Sequence, residues 1–247
     1  MRRLLLLGLL LTLVGTAQAK RILYIGDSVT DGGWGRSGGN IVASAERNLK
    51  DLNHLYGHSY MMLCAAHYEA RFPEAGYEFL NRGISGNDLA RLEVRWEEDA
   101  LALQPDVLSL LVGINDIYYH VQQQGDAPFD FAAWEARYRT LLDRARAANP
   151  DLVILLGTPF VARVGRTGAA ENYPRCEALT QQLAEIVCRI AADYGAAVVR
   201  YDRLFAEQPQ LHPTVPMSHW IWDGIHPTAA GHRLMADLWI ETFDRRP

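Results

Sequence analysis

Serine is a poor nucleophile until a base takes its proton, and the base acts best when a third group fixes its tautomer. The 247-residue chain carries parts for such an arrangement at four points. Gly26-Asp27-Ser28 follows an apolar run at residues 22–25. Gly86 lies within Gly83-Ile84-Ser85-Gly86-Asn87, and Asn115 within Gly113-Ile114-Asn115-Asp116. Asp223 and His226 stand three apart in Trp222-Asp223-Gly224-Ile225-His226-Pro227. Ser28 is the candidate nucleophile, His226 the base and Asp223 the orienting carboxylate. A tetrahedral oxyanion needs donors placed in advance. The backbone N–H of Ser28, the backbone N–H of Gly86 and the side-chain amide of Asn115 are the candidates. Glycine at 86 suits a backbone that must approach substrate closely. The chemistry is acyl transfer through a serine ester. A histidine base must be neutral, so activity is expected to fall on the acid side.

Each part has a plainer reading when taken alone. Ser28 or Asp223 can cap a helix. Asn115 and Asp116 can hold their own turn. Gly86 can be a turn glycine, and His226 a structural histidine. His219, Asp223 and His226 lack a His-Glu-x-x-His pattern, so neither a metal nor any other cofactor is expected. The remaining histidines (His54, His58, His67, His120, His212 and His232) are expected to have no paired acid at useful spacing. What favours acyl transfer is the occurrence of all the parts on loops, in the order Ser, Gly, Asn, Asp–His.

The surrounding pattern supplies a scaffold. Apolar runs at residues 22–25, 77–80, 107–112, 152–156 and 197–201 read as five strands. Helical patterns at 57–72, 88–103, 129–148, 174–194 and 228–243 alternate with them. Buried strands joined by helical crossovers imply a parallel sheet covered on both faces, with its loops opening on one edge. Residues 31–40, half of them glycine around Trp34, read as a mobile flap over that edge. They lack the Gly-Lys-Ser/Thr ending of a phosphate cradle. Trp34 and Trp222 are candidate sugar-stacking surfaces.

Composition bounds the rest. The chain is 49% hydrophobic and 21% charged with a net charge of -5, which argues against a nucleic-acid or anionic-membrane surface. Arg2-Arg3, the apolar run at 4–14 and the Ala17-Gln18-Ala19 ending fit a secretory signal peptide cut after Ala19. Residues 20–247 are then one secreted or periplasmic domain with no stable membrane anchor, since the apolar run is short for a transmembrane helix. Cys64, Cys176 and Cys188 are an odd count. The last two lie about 18 Å apart along one helix, too far to bridge, so packed thiols are expected.

Gly26-Asp27-Ser28, Gly86, Gly113-Ile114-Asn115-Asp116 and Asp223-x-x-His226 resemble the four blocks of the SGNH (GDSL-type) hydrolases. The resemblance implies a three-layer α/β/α sandwich with a parallel sheet of about five strands, Ser28, His226 and Asp223 as triad, and Ser28, Gly86 and Asn115 as oxyanion hole. Asn81-Arg82-Gly83, Arg95-Trp96, Pro105-Asp106-Val107 and Trp222-Asp223 further resemble the branch containing acetylxylan esterases. That branch implies an exported esterase acting on O-acetyl groups of carbohydrate. Residues 31–60 depart from its pattern and are where the substrate is least defined. Alternatives are a lipid or thioester acylhydrolase, a carbohydrate O-acetyltransferase, or a catalytically silent binding module. An α/β-hydrolase is disfavoured because no Gly-x-Ser-x-Gly elbow is present.

Overall fold

A computed structural model describes residues 20–36, 42–168 and 171–246. The expected signal peptide and the end of the glycine-rich segment lie outside the described residues.

Five strands form one parallel sheet in the order β2-β1-β3-β4-β5. The elements before the nucleophile and just after it are β1 (Arg21–Gly26), α1 (Ser28–Asp31), α2 (Tyr60–Arg71) and β2 (Glu78–Gly83). Then come α3 (Leu89–Val94), α4 (Trp96–Asp99), β3 (Val107–Leu111), α5 (Ile114–Gln124) and α6 (Phe131–Ala148). The chain continues through β4 (Val153–Gly157), α7 (Gly165–Gly168), α8 (Tyr173–Tyr194) and β5 (Ala197–Val199). It closes with α9 (Tyr201–Ala206), α10 (Gln208–Leu211) and α11 (Ala229–Asp244).

Strand residues alternate between two apolar cores, because successive side chains point to opposite faces. Leu23 and Ile25 of β1 join Leu108 and Leu110 of β3 under α3, α5, α6 and α8. Ile22 and Tyr24 face the other way, onto Tyr60 and Cys64 of α2 and Met235 and Trp239 of α11. The result is the expected three-layer α/β/α sandwich. Cys64, Cys176 and Cys188 are free thiols, and burial pushes Cys64 up to about 12 and Cys176 up to about 11.

The strand order places the chemistry. From β1 the chain moves outward to β2, then crosses back to β3 on the other side. The switch point between β1 and β3 opens a crevice at their carboxyl ends, where doubly wound sheets hold ligands. Ser28 follows β1 and Asn115 follows β3.

Several boundaries differ from the sequence expectations. The β2 strand runs on through Asn81, Arg82 and Gly83, which read as loop. Asn81 makes this possible: its Nδ2 donates to the carbonyls of Thr30, Asp31 and Tyr56, and its Oδ1 accepts from Gly83 N–H. The helix expected over 88–103 is broken at Arg95. The Arg95 guanidinium turns inward instead, donating to Gly26 O at 3.0 Å and Arg82 O at 2.7 Å. It thereby satisfies carbonyls at the ends of β1 and β2. The last strand stops at Val199, and Tyr201 begins α9.

Candidate active site

The turn after β1 tightens because Asp27, not Ser28, is the N-cap: its Oδ1 accepts from Val29 N–H at 2.9 Å. The Ser28 hydroxyl is therefore left for other work, and it meets His226 Nε2 at 2.8 Å. His226 Nδ1 lies 2.8 Å from Asp223 Oδ2. Asp223 does not cap α11, since Thr228 does that by accepting from Gly231 N–H. Asp223 Oδ1 accepts from Ile225 N–H at 3.0 Å and His226 N–H at 2.8 Å, folding the loop so that the carboxylate lies against the imidazole that meets Ser28. Burial pushes the Asp223 carboxyl up. The bonds from the His226 ring and from the His226 and Ile225 N–H groups outweigh it and hold the carboxyl well below the usual range. Asp223 is thus a fixed anion behind the imidazole.

Two of the three candidate oxyanion donors are backbone groups, and the third is the Asn115 side-chain amide. Among the described residues, the N–H groups of Ser28 and Gly86 have no hydrogen-bond partner. Gly86 has φ of +81°, a backbone that disfavours any side chain. Asn115 is in the first turn of α5 rather than in a loop. Its Nδ2 donates one hydrogen to Asn87 O at 2.9 Å, which fixes the amide and leaves a second N–H. Asp116, one residue on, accepts from Leu89 N–H and so ties α5 to the start of α3. Burial pushes the Asp116 carboxyl up to about 7, against the opposing Leu89 N–H. Burial likewise raises Asp27 to about 6, although Val29 N–H and His226 work against it.

The two tryptophans part company. Trp222 is 61% exposed, and its ring lies at 6.4 Å from the His226 ring with 27° between planes. Trp34 is 1% exposed and offers no face to a sugar. Its Nε1 donates to Gly83 O at 2.8 Å, and the guanidinium groups of Arg47 and Arg82 lie over its ring at 4.4 and 4.9 Å. The expectation of an exposed platform at Trp34, on a mobile flap, is corrected on this point. The turn is anchored by Asp31, whose carboxylate meets Arg47 at 2.7 and 3.2 Å with both side chains fully buried. Asp31 Oδ2 also accepts from Ser85 N–H and Ser85 Oγ–H. Burial favours the neutral Asp31 acid, but Arg47 and Ser85 together hold it below the usual range.

Two contributions escaped the sequence reading. Arg166 of α7 pairs with Asp223 Oδ2 at 3.1 Å and lies over the Tyr118 ring at 5.3 Å. Thr167 braces the acid loop from below: its N–H donates to Asp223 O, and a side chain at Gly224 (φ +98°) would overlap its hydroxyl. The only signal for these was an Arg/Thr/Gly-rich loop, which states no partner. The cleft in front of Ser28 holds about 850 Å³ and is lined by Arg36, Asn53, His54, His58, Ser85, Trp222, His226 and His232, among others. Against expectation His54 does have an acid partner, its Nδ1 lying 2.6 Å from Asp51 Oδ2. Among the described residues, no group of three or more His, Cys, Asp or Glu is placed to hold a metal ion.

With a serine, an imidazole and a carboxylate in series at 2.8 Å per step, the arrangement can form and hydrolyse an acyl ester. The sequence model of the GDSL-like lipase/acylhydrolase family matches residues 24–234. The chain belongs to this family. It is 30% identical over 227 residues to an acetylxylan esterase of Geobacillus stearothermophilus, covering 90% of this chain and 92% of that protein. A crystal structure of acetylxylan esterase from that organism superimposes with a TM-score of 0.72 at 26% identity, over 92% of this chain and 95% of that one. A Parabacteroides merdae protein assigned to the GDSL-like lipases gives 0.74 at 30% identity, over 92% and 96%. This member of the GDSL family is a carboxylic ester hydrolase.

Proposed function

We propose that the enzyme removes O-acetyl groups from carbohydrate through an acetyl-serine intermediate. The observation that carries this reading is the unbroken chain Ser28 Oγ, His226 Nε2, His226 Nδ1, Asp223 Oδ2, with 2.8 Å at each hydrogen-bonded step. In the first half-reaction Ser28 Oγ attacks the acetyl carbonyl and passes its proton to His226 Nε2. The oxyanion is received by the N–H groups of Ser28 and Gly86 and the free N–H of Asn115. Collapse expels the sugar alkoxide, which takes the proton from His226. Water, deprotonated by His226, then attacks the acetyl-serine and releases acetate.

Polar side chains on the cleft wall, namely Arg36, Asn53, His54, His58 and Ser85, suit the hydroxyls of a sugar. The likeness to acetylxylan esterases supports carbohydrate as the alcohol. The test is acetate release from acetylated xylan and from a chain-length series of aryl esters. Ser28→Ala is expected to lower the rate by about a thousandfold or more. Full activity in that variant, or rates climbing beyond butyrate, overturns the reading.

We further propose that the working enzyme is an exported single domain beginning at Lys20. The strand β1 starts at Arg21, one residue beyond the expected cleavage point, and the Arg21 N–H already donates to Asp106 Oδ2 at 2.7 Å. Intact mass of the protein recovered outside the cytoplasm checks this. A chain found there with residues 1–19 attached refutes it.

A further inference from the structure

His232 stands six residues beyond His226, on α11, and lines the same cleft as Ser28, His226 and Trp222. Its two ring nitrogens have different surroundings. Nδ1 lies 3.1 Å from the N–H of Tyr60, the first residue of α2. The first amides of a helix have no partner inside it. Ser59, the N-cap residue, does not supply one, because its hydroxyl donates to Thr30 O. The imidazole of His232 takes that place from across the structure. A backbone N–H can only donate, so Nδ1 must be the acceptor and carries no proton. In the neutral ring the proton is then on Nε2.

The other nitrogen has no hydrogen-bond partner among the described residues, and it is not one of the buried atoms left without one. His232 is only partly buried and is one of the residues lining the cleft. Burial, with His58 and His226 as neighbours, pushes this imidazole down to about 4. Above about pH 5 the ring is neutral, and its tautomer is fixed by the bond to Tyr60.

We propose that His232 is a substrate-binding residue: its Nε2–H donates to an oxygen of the carbohydrate beside the scissile acetyl group. This rests on the carbohydrate reading above and adds the residue that makes the choice. A sugar offers hydroxyl and ring oxygens as acceptors around the ester, whereas phenyl acetate offers none beyond the ester itself. A donor with a fixed tautomer therefore discriminates between the two alcohols without taking part in the acyl chemistry, which both share.

The discriminating variant is His232→Asn. Its amide oxygen can keep the acceptor for Tyr60 N–H while the cleft donor is removed. The expected result is a loss of about tenfold in kcat/KM on acetylated xylo-oligosaccharide, the scale of one neutral hydrogen bond. On phenyl acetate the change should stay within about twofold. His232→Gln, whose amide nitrogen reaches the former Nε2 position, should recover part of the loss on the sugar. Equal loss on both substrates means His232 only caps α2 and overturns the proposal, as does no loss on either. A wild-type enzyme that cleaves aryl acetates but no acetylated sugar overturns both this proposal and the carbohydrate reading. An unchanged sugar preference in His232→Asn overturns this proposal alone.

Discussion

At the scale of single residues, what distinguishes the site is how each polar group has been released for its task or held from another. Ser28 is free to meet His226 because Asp27 takes over the capping of α1. Asn115 has one amide hydrogen committed to Asn87 O and one to spare. Truncating such a donor removes an interaction that strengthens as charge develops on the carbonyl oxygen. Asn115→Ala is expected to lower kcat by about a hundred to a thousandfold with a small change in KM, measured on an aryl acetate. If kcat holds and KM rises, Asn115 binds substrate rather than the oxyanion. Asp223, His226 and Ser28 were legible in the sequence because their types and order carry chemistry by themselves. Trp34 was not, because an aromatic residue among glycines looks the same on paper whether it is exposed or sealed. Its fate depends on Arg47 and Arg82, the latter 48 positions away, which no local pattern links to it.

At the scale of elements, the strands were legible because a parallel sheet covered on both faces needs continuous apolar runs. The second half of β2 and the break at Arg95 were not. Both are held by side chains serving distant backbone groups: Asn81 on the Thr30 turn and Arg95 on the ends of β1 and β2. Asp116 is a third such link, joining α5 to α3. Its carboxyl is raised to about 7 in the folded protein, above the usual carboxylate value near 4. A raised acid contributes stability that is fully present below about pH 4 and lost as pH rises through about 7. Above that, the fold carries an ionised, poorly hydrated carboxylate. Asp116→Asn keeps an acceptor for Leu89 N–H and removes the charge. It is expected to melt at a higher temperature than the wild type at pH 8, with the advantage fading toward pH 4. Thermal melts at both pH values check this, and a constant difference would rule out the ionisation as its source.

At the scale of the whole molecule, the sheet order opens a crevice between β1 and β3, and α11 closes the construction by bringing His226 and the face carrying Trp239 against β1 and α2. The two cores lie on opposite faces of one sheet, so losing α11 uncovers the core that Tyr24 and Tyr60 share with Trp239 and frees the loop carrying His226 at its carboxyl end. A chain stopped before α11 is expected to cleave no aryl acetate. In the full chain, activity and tryptophan fluorescence should be lost together across a urea titration; activity lost well before fluorescence would show that the last helix detaches alone.

Ser28 and His226 are 198 positions apart and meet at 2.8 Å. No local segment holds both, so under the proposed mechanism the serine is activated only where distant parts of the sheet edge are packed together. Loosening the 223–226 loop would silence Ser28 while leaving its own turn intact, and residual activity would then report on long-range packing rather than on the β1 turn.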